Sequence, residues 1–149
     1  RAAIKRTDGT FWMAGAGNYY ANGNATGAVY SNFTQVDLGG PINKCVLSGT
    51  GSYNWTAVLM ADGTVKTFGY NGNGVLMTGD ATSSAPNVVN TVPTGNGTVV
   101  DICAWNQSSE QSIAFLMSDG QLLVGGYAAS SSLPEDDDEN SYVPMPVIF

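Results

Sequence analysis

Three times along the chain an apolar run leads into Asp-Gly and then into a second run that ends on glycine. The runs are Ala2-Ala3-Ile4 before Asp8-Gly9, Ala57-Val58-Leu59-Met60 before Asp62-Gly63, and Ala114-Phe115-Leu116-Met117 before Asp119-Gly120. Asp8 and Asp62 stand 54 residues apart, and Asp62 and Asp119 stand 57 apart. The chain is therefore an internal repeat, and a unit that cannot bury its apolar face alone must stack on its neighbours. Asp-Gly between strand-like runs is a strong hairpin signal, because a tight turn needs a positive φ that glycine adopts without a Cβ clash. Each repeat is expected to carry a two-residue hairpin turn at the same place.

In the middle repeat, extended runs are expected over Ile42 to Leu47, Trp55 to Met60 and Thr64 to Phe68. Gly49-Thr50-Gly51-Ser52 reads as a loop, Gly69 to Gly74 as a second turn region, and Val88-Val89 as an outer edge strand. The third repeat follows the plan over Val99 to Ala104, Ile113 to Met117, Gln121 to Val124 and Val143 to Phe149. The first lacks its opening strand and runs over Ala2 to Lys5, Thr10 to Met13 and Phe33 to Leu38. No segment holds apolar residues at helical spacing for three turns, and 19 glycines oppose helix.

A repeat of this length is long for a solenoid coil and suits a propeller blade. The expected fold is all-β: a β-propeller segment of about three four-stranded antiparallel blades, over about 1–38, 42–92 and 98–149. Three blades do not close a ring, so the remainder is expected from further sequence or from other copies. The chain opens on Arg1, directly on the strand before the first Asp-Gly, which fits a processed product or a piece of something longer.

Charged residues make up 11% of the chain, against about 25% in an ordinary soluble domain. Twelve acids face five bases, for a net charge of −7, and three of the bases are Arg1, Lys5 and Arg6. A phosphate-binding surface needs clustered Lys and Arg, so nucleic acid and anionic membranes are not expected partners. No histidine is present, which removes the commonest general base and metal ligand. Cys45 and Cys103 cannot complete a tetrahedral zinc site, so no metal and no cofactor are expected. Counted back from the following Asp, the two cysteines stand in nearly equivalent places, 17 and 16 residues away. They read as small buried core residues or as a bridge between adjacent repeats.

The middle repeat resembles a known family. Val58-Leu59-Met60-Ala61-Asp62-Gly63-Thr64-Val65-Lys66-Thr67-Phe68-Gly69-Tyr70-Asn71-Gly72-Asn73-Gly74-Val75-Leu76-Met77-Thr78-Gly79, followed by Pro86-Asn87-Val88, is similar to the β-propeller repeat named after the regulator of chromosome condensation. Phe68 stands for the pattern's Trp and Met77 for one of its Gly residues. In the other repeats Gly15 and Gly126 correspond to Gly69, while Gly17 and Ala128 replace the Asn at 71. The resemblance implies a propeller of about seven blades that serves as an interaction platform, with a small GTPase or another regulatory protein among its partner classes. On this reading Asp8, Gly9, Asp62, Gly63, Gly69, Gly74, Gly79, Asp119, Gly120 and Gly126 are structural turn residues, and Leu76 fills the space between blades.

Among candidate sites, the acidic run Glu135-Asp136-Asp137-Asp138-Glu139 is continuous, unlike the alternating ligands of a calcium loop, and reads as a solvated loop. A pair of carboxylates could hydrolyse a glycoside, but with the turn aspartates set aside only scattered Asp37, Asp80, Asp101 and Glu110 remain. The chain is therefore read as non-enzymatic. Tyrosine and tryptophan dominate recognition surfaces, and Tyr19, Tyr20, Tyr53, Trp105 and Tyr127 lie in or beside loops. These five are the candidate binding residues, Trp12 and Trp55 being read as core. Five Asn-x-Ser/Thr sequons, at Asn24, Asn32, Asn54, Asn96 and Asn106, exceed the roughly two expected from composition.

Gly, Asn, Ser and Thr richness is also similar to phage tail-fibre modules. The functional expectation is a binding or structural module of an extracellular or virion-surface appendage that contacts a cell-surface glycan or protein. The alternatives are an interaction propeller for a small GTPase or other regulator, and a carboxylate-based glycosidase.

Overall fold

The computed structural model describes residues 1–23, 27–49, 51–83, 89–107, 110–127 and 141–147. They form three antiparallel sheets in succession. The first contains β1 (Ala2–Lys5), β2 (Phe11–Gly15) and β3 (Tyr30–Val36), in that spatial order. The second runs β4 (Ile42–Ser48), β5 (Trp55–Met60), β6 (Val65–Gly69) and β7 (Asn90–Thr91). The third runs β8 (Val99–Gln107), β9 (Glu110–Met117), β10 (Leu122–Gly126) and β11 (Ser141–Pro146). A three-residue 3-10 turn, Asn18–Tyr20, is the single helical element among the described residues. The outer strand of the middle repeat is Asn90–Thr91 rather than Val88-Val89, and Pro86 to Val88 lie outside the described residues.

β1 lies against β4, and β4 against β8, so the sheets converge along that edge and fan apart toward β3, β7 and β11. This radial stacking is what a blade with two apolar faces requires. All six residues of β5 are buried. Val58 and Met60 join Phe11, Met13 and Phe68 in a core between sheets 1 and 2. Trp55, Ala57 and Leu59 join Ile113, Phe115 and Leu123 in a second core between sheets 2 and 3. The strand period of two thus sends alternate side chains into two cores. Val75, Leu76 and Met77, fully buried, plug the second core from the segment after β6.

The Asp-Gly turns differ from expectation in length. Met60 N donates to Thr64 O at 2.8 Å and Gly63 N to Met60 O at 3.1 Å, leaving Ala61, Asp62 and Gly63 as a three-residue loop. Gly63 alone of the three has positive φ, at 83°. A three-residue loop with its last residue left-handed is the next commonest hairpin form after the two-residue turn. The Asp does a different job from the one a two-residue turn would give it. Asp62 Oδ1 accepts from Thr64 N at 3.0 Å and Thr64 Oγ1 at 2.8 Å, and Asp8 does the same with Thr10 at 2.9 and 2.7 Å. Asp119 Oδ1 accepts from Gln121 N at 2.9 Å.

These turns also set one sheet on the next. Ile42 N donates to Gly9 O at 3.3 Å and Val99 N to Gly63 O at 3.1 Å, so the first two turns each cap the first strand of the following sheet. Lys44 on β4 pairs with Asp101 on β8 at 2.6 Å.

The cysteines are not equivalent. Ile42 and Val99 both pair with the methionine that precedes the turn, which aligns Cys45 with Ile102 and Cys103 with Val46. A one-residue offset turns a side chain to the other face of a sheet. Cys45 is half-buried toward sheet 1, whereas Cys103 is exposed rather than core, and both are free thiols.

Candidate functional site

The Asp-Gly turns occupy one end of each sheet. At the opposite end, register brings together Ser48 with Trp55, Trp55 with Gly69, and Ser112 with Gly126. The segments that follow Gly15 and Gly69, Tyr127 after Gly126, and the β4–β5 connection therefore lie at this second end.

The segment from the first sheet is bent sharply. Tyr20 N donates to Gly17 O at 2.7 Å, Ala21 N to Asn18 O at 3.1 Å and Gly23 N to Tyr20 O at 2.9 Å. Tyr19 and Tyr20 hold φ of 53° and 61°. Arg1 fastens this bend to sheet 2: its guanidinium donates to Ala21 O at 3.0 Å, Trp55 O at 3.1 Å, Thr56 Oγ1 at 3.0 Å and Ser48 O. Thr56 Oγ1 in turn donates to Ala21 O at 2.6 Å. Burial lowers the Arg1 pKa to about 10, so it remains charged at neutral pH and its cost is offset by these acceptors.

The docked bend lays Tyr19 against Tyr70, with ring centroids 5.1 Å apart and planes at 62°. Tyr53, from the β4–β5 connection, also meets Tyr70, at 4.8 Å and 56°. Such inclined contacts suit the aromatic quadrupole. Tyr19 and Tyr53 remain 42% and 41% exposed. Burial pushes the Tyr70 phenol above its ordinary pKa, and the Tyr53 and Tyr19 hydroxyls add to the shift. Below Tyr53, the fully buried Gln111 of β9 donates from Nε2 to Tyr53 O at 2.6 Å, tying sheet 3 to the same loop. Gln111 Oε1 and Asn106 Nδ2, side chains of cross-strand partners, are buried without a hydrogen-bond partner, as is Trp55 Nε1.

Asn71 rigidifies the neighbouring loop. Its Nδ2 donates to Thr78 Oγ1, Asp80 O and Thr82 O at 2.9–3.1 Å, and its Oδ1 accepts from Leu76 N at 2.8 Å. In the first repeat, where Gly17 takes that place, Asn22 supplies a comparable tie, donating to Gly15 O at 3.1 Å and Ala28 O at 3.0 Å.

Of the five candidate aromatics, the structure brings Tyr19 and Tyr53 together through Tyr70. Tyr20 is half-buried, facing Gly27. Tyr127 occupies in sheet 3 the place of Tyr70, its N–H on Gln111 O at 2.8 Å as Tyr70 N–H is on Asn54 O. Trp105 is 42% exposed on β8, opposite Ser112, and makes no ring contact with the trio. Trp55 is core, fully buried. Trp12 is only half-buried, with Arg6 stacked 5.3 Å over its ring. Tyr70, Arg1 and Gln111 were not singled out from sequence. The signal for Tyr70 was the Gly-Tyr pair that recurs at 69–70 and 126–127 directly after a strand.

Three of the four scattered carboxylates, Asp37, Asp80 and Asp101, are held in local hydrogen bonds or an ion pair. Asp37 Oδ1 accepts from Gly39 N, and Asp80 Oδ1 from Thr82 N. The Thr82 hydrogen bonds hold Asp80 below the ordinary carboxylate pKa, and the Lys44 hydrogen bond does so for Asp101. A glycosidase acid needs the opposite shift. Among the described residues no three His, Cys, Asp or Glu side chains gather as a metal site. The acidic run 135–139 lies outside the described residues.

No protein-family model matches the chain, and no curated protein does. Solved structures do. The crystal structure of human WBSCR16 superposes with a TM-score of 0.74 at 19% identity, over 99% of this chain and 37% of the other. The crystal structure of Kap60 bound to yeast RCC1 (Prp20) gives a TM-score of 0.74 at 11% identity, over 99% and 35%. The chain thus spans little more than a third of the length of these proteins. At such identities the likeness speaks to fold alone, and the fold is that of an RCC1-like β-propeller.

Proposed function

We propose that the chain is part of a non-enzymatic interaction propeller, and that the end carrying Tyr19, Tyr53 and Tyr70 contacts a protein partner. The observation that carries this reading is the tyrosine trio itself: three rings from two sheets, two of them over 40% exposed, on loops fixed by Arg1, Asn71 and Gln111. Rigid aromatic anchors on such a base are the usual makings of a protein-contact hot spot. A small GTPase or another regulatory protein is the partner class that the family resemblance suggests. One of the two similar structures is titled as a complex of a propeller protein with Kap60. The appendage reading rests on composition, and no structural observation adds to it.

Further blades belong to the same proposal. Leu59 of sheet 2 is 1% exposed beneath sheet 3, while Leu116, its counterpart in sheet 3, is 41% exposed on the same face of its sheet as Cys103 and Trp105. That face suits another sheet of the same kind.

A photo-crosslinking residue placed at Tyr19 or Tyr53 tests the contact end, with one at Asp119 as the comparison at the opposite end. Crosslinks to protein at the tyrosine end alone are expected. Crosslinks confined to Asp119, or to carbohydrate, would refute the reading.

A further inference from the structure

The repeats act as each other's control. Tyr20 N meets Gly17 O at 2.7 Å and Gly74 N meets Asn71 O at 2.8 Å, which places Tyr20 where the second repeat has Gly74 and Tyr19 where it has Asn73. Trp55 and Ser112 both lie opposite a strand-ending glycine, so Tyr53 corresponds to Glu110 and Tyr70 to Tyr127. The trio at the junction of sheets 1 and 2 is therefore replaced, at the next junction, by Asn73, Glu110 and Tyr127. Asn73 and Glu110 stand there in the places of Tyr19 and Tyr53, so the repeat does not require tyrosine at those two positions. Tyr19 and Tyr20 are moreover held at positive φ, a conformation unfavourable to a bulky side chain. Residues that the architecture does not ask for, kept in a strained backbone, point to a use. The loops around them are built from Asn18, Gly51, Ser52, Asn54 and Gly72, the uncharged small residues that surround tyrosine anchors in recognition loops.

The charges at this end narrow the partner. Lys5, Lys44 and Lys66 lie on the halves of the strands nearer the Asp-Gly turns, and Arg6 lies at the first of those turns. Arg1 is turned inward onto four acceptors. Among the described residues the exposed charged side chains at the tyrosine end are Asp80 and Glu110, both acidic. Asp80 is in the loop that Asn71 ties beside Tyr70, and Glu110 precedes the Gln111 that holds Tyr53. Open tyrosine faces within a negative field favour a flat, weakly hydrated cation, and guanidinium fits that description better than ammonium.

Building on the protein-contact reading above, we infer that the tyrosine end takes an arginine-bearing segment of its partner, with guanidinium groups stacked on Tyr19 and Tyr53 near Asp80 and Glu110. Tyr70 is in contact with both rings and holds them at this end.

The test is calorimetric titration of the whole chain with four probes: a Gly/Ser peptide bearing arginines, the same peptide with lysines, the same with glutamines, and a neutral oligosaccharide. The arginine peptide is expected to bind about fivefold tighter than the lysine peptide, with Tyr19→Ala and Tyr53→Ala each weakening it about fivefold. Tyr19→Phe and Tyr53→Phe keep the ring and are expected to stay within about twofold, while Glu110→Gln, at an exposed site, weakens binding more at low salt. Equal affinity for arginine and lysine, or for the glutamine peptide, overturns the arginine assignment and leaves the protein-contact reading standing. Binding of the oligosaccharide in place of every peptide overturns both. Silence with all four probes overturns the arginine assignment.

Discussion

A Cβ built on Gly63 would lie 2.1 Å from Thr98 Cγ2 and 3.3 Å from Val99 O. This is the point at which the turn of sheet 2 rests on the entry to sheet 3, and it offers a way to measure how much that contact matters. Gly63 and Gly120 occupy the same turn position with φ of 83° and 89°, but nothing approaches the Gly120 Cβ position within 4 Å. Gly120→Ala is expected to cost the backbone strain alone, about 1 kcal/mol. Gly63→Ala adds the collision with Thr98 and is expected to cost at least about 2 kcal/mol. Urea unfolding of the two variants checks this, and equal losses would show that the turn does not bear on its neighbour.

Asn71 should be the most sensitive polar residue of the middle repeat. Asn71→Ala removes a donor shared by three oxygens and leaves the buried Leu76 N–H without its acceptor, for an expected loss of about 3 kcal/mol. For a chain of this size that lowers Tm by roughly 6–12 °C. Asn71→Asp keeps the acceptor but sets a carboxylate against the carbonyls of Asp80 and Thr82, and is expected to be no better. A thermal scan that shows either variant within a degree of the parent would contradict the role.

Acid should loosen the turns. Hydrogen bonds from Thr10 hold the exposed Asp8 below its ordinary pKa, those from Thr64 do so for Asp62, and Lys44 does so for Asp101. A carboxylate whose pKa is depressed on folding contributes stability that is complete above its unfolded value, near 3.9, and is lost as pH falls toward the folded value. Tm is therefore expected to be flat near neutrality and to drop below about pH 4. The double variant Asp8→Asn, Asp62→Asn should shallow that drop, and an unchanged acid limb would assign it to other groups.

How far the sequence reaches depends on the range of each interaction. The Asp-Gly turns, the three-sheet succession and β5 as a strand are legible because turn chemistry and apolar runs are local. Loop length is not, since Asp-Gly serves both two- and three-residue hairpins, and the bond from Met60 N to Thr64 O decides between them. Cys45 and Cys103 fail differently: distances of 17 and 16 from the following Asp look equivalent, but one residue is one face of a sheet. At the candidate site, Gly and Asn flanks marked Tyr19 and Tyr53 as loop aromatics. Their meeting across Tyr70 is a product of blade packing, which Arg1 fixes from more than 40 residues away, and no local pattern carries that.

Tyr19→Asn separates contact from fold. Asparagine is the residue at the corresponding place in the second repeat, and it tolerates left-handed backbone better than tyrosine does. The substitution gives up one inclined ring contact, worth about 0.5–1.5 kcal/mol, and relieves strain at φ 53° worth about 1–2 kcal/mol. These terms nearly cancel, so the unfolding midpoint should move by less than about 1 kcal/mol in either direction. The outer ring face is gone, however, and binding at the tyrosine end should fall about fivefold. Paired urea denaturation and titration on the same preparation distinguish the cases: a variant that keeps both stability and binding shows Tyr19 to be a bystander, and one that loses both in proportion shows it to be structural.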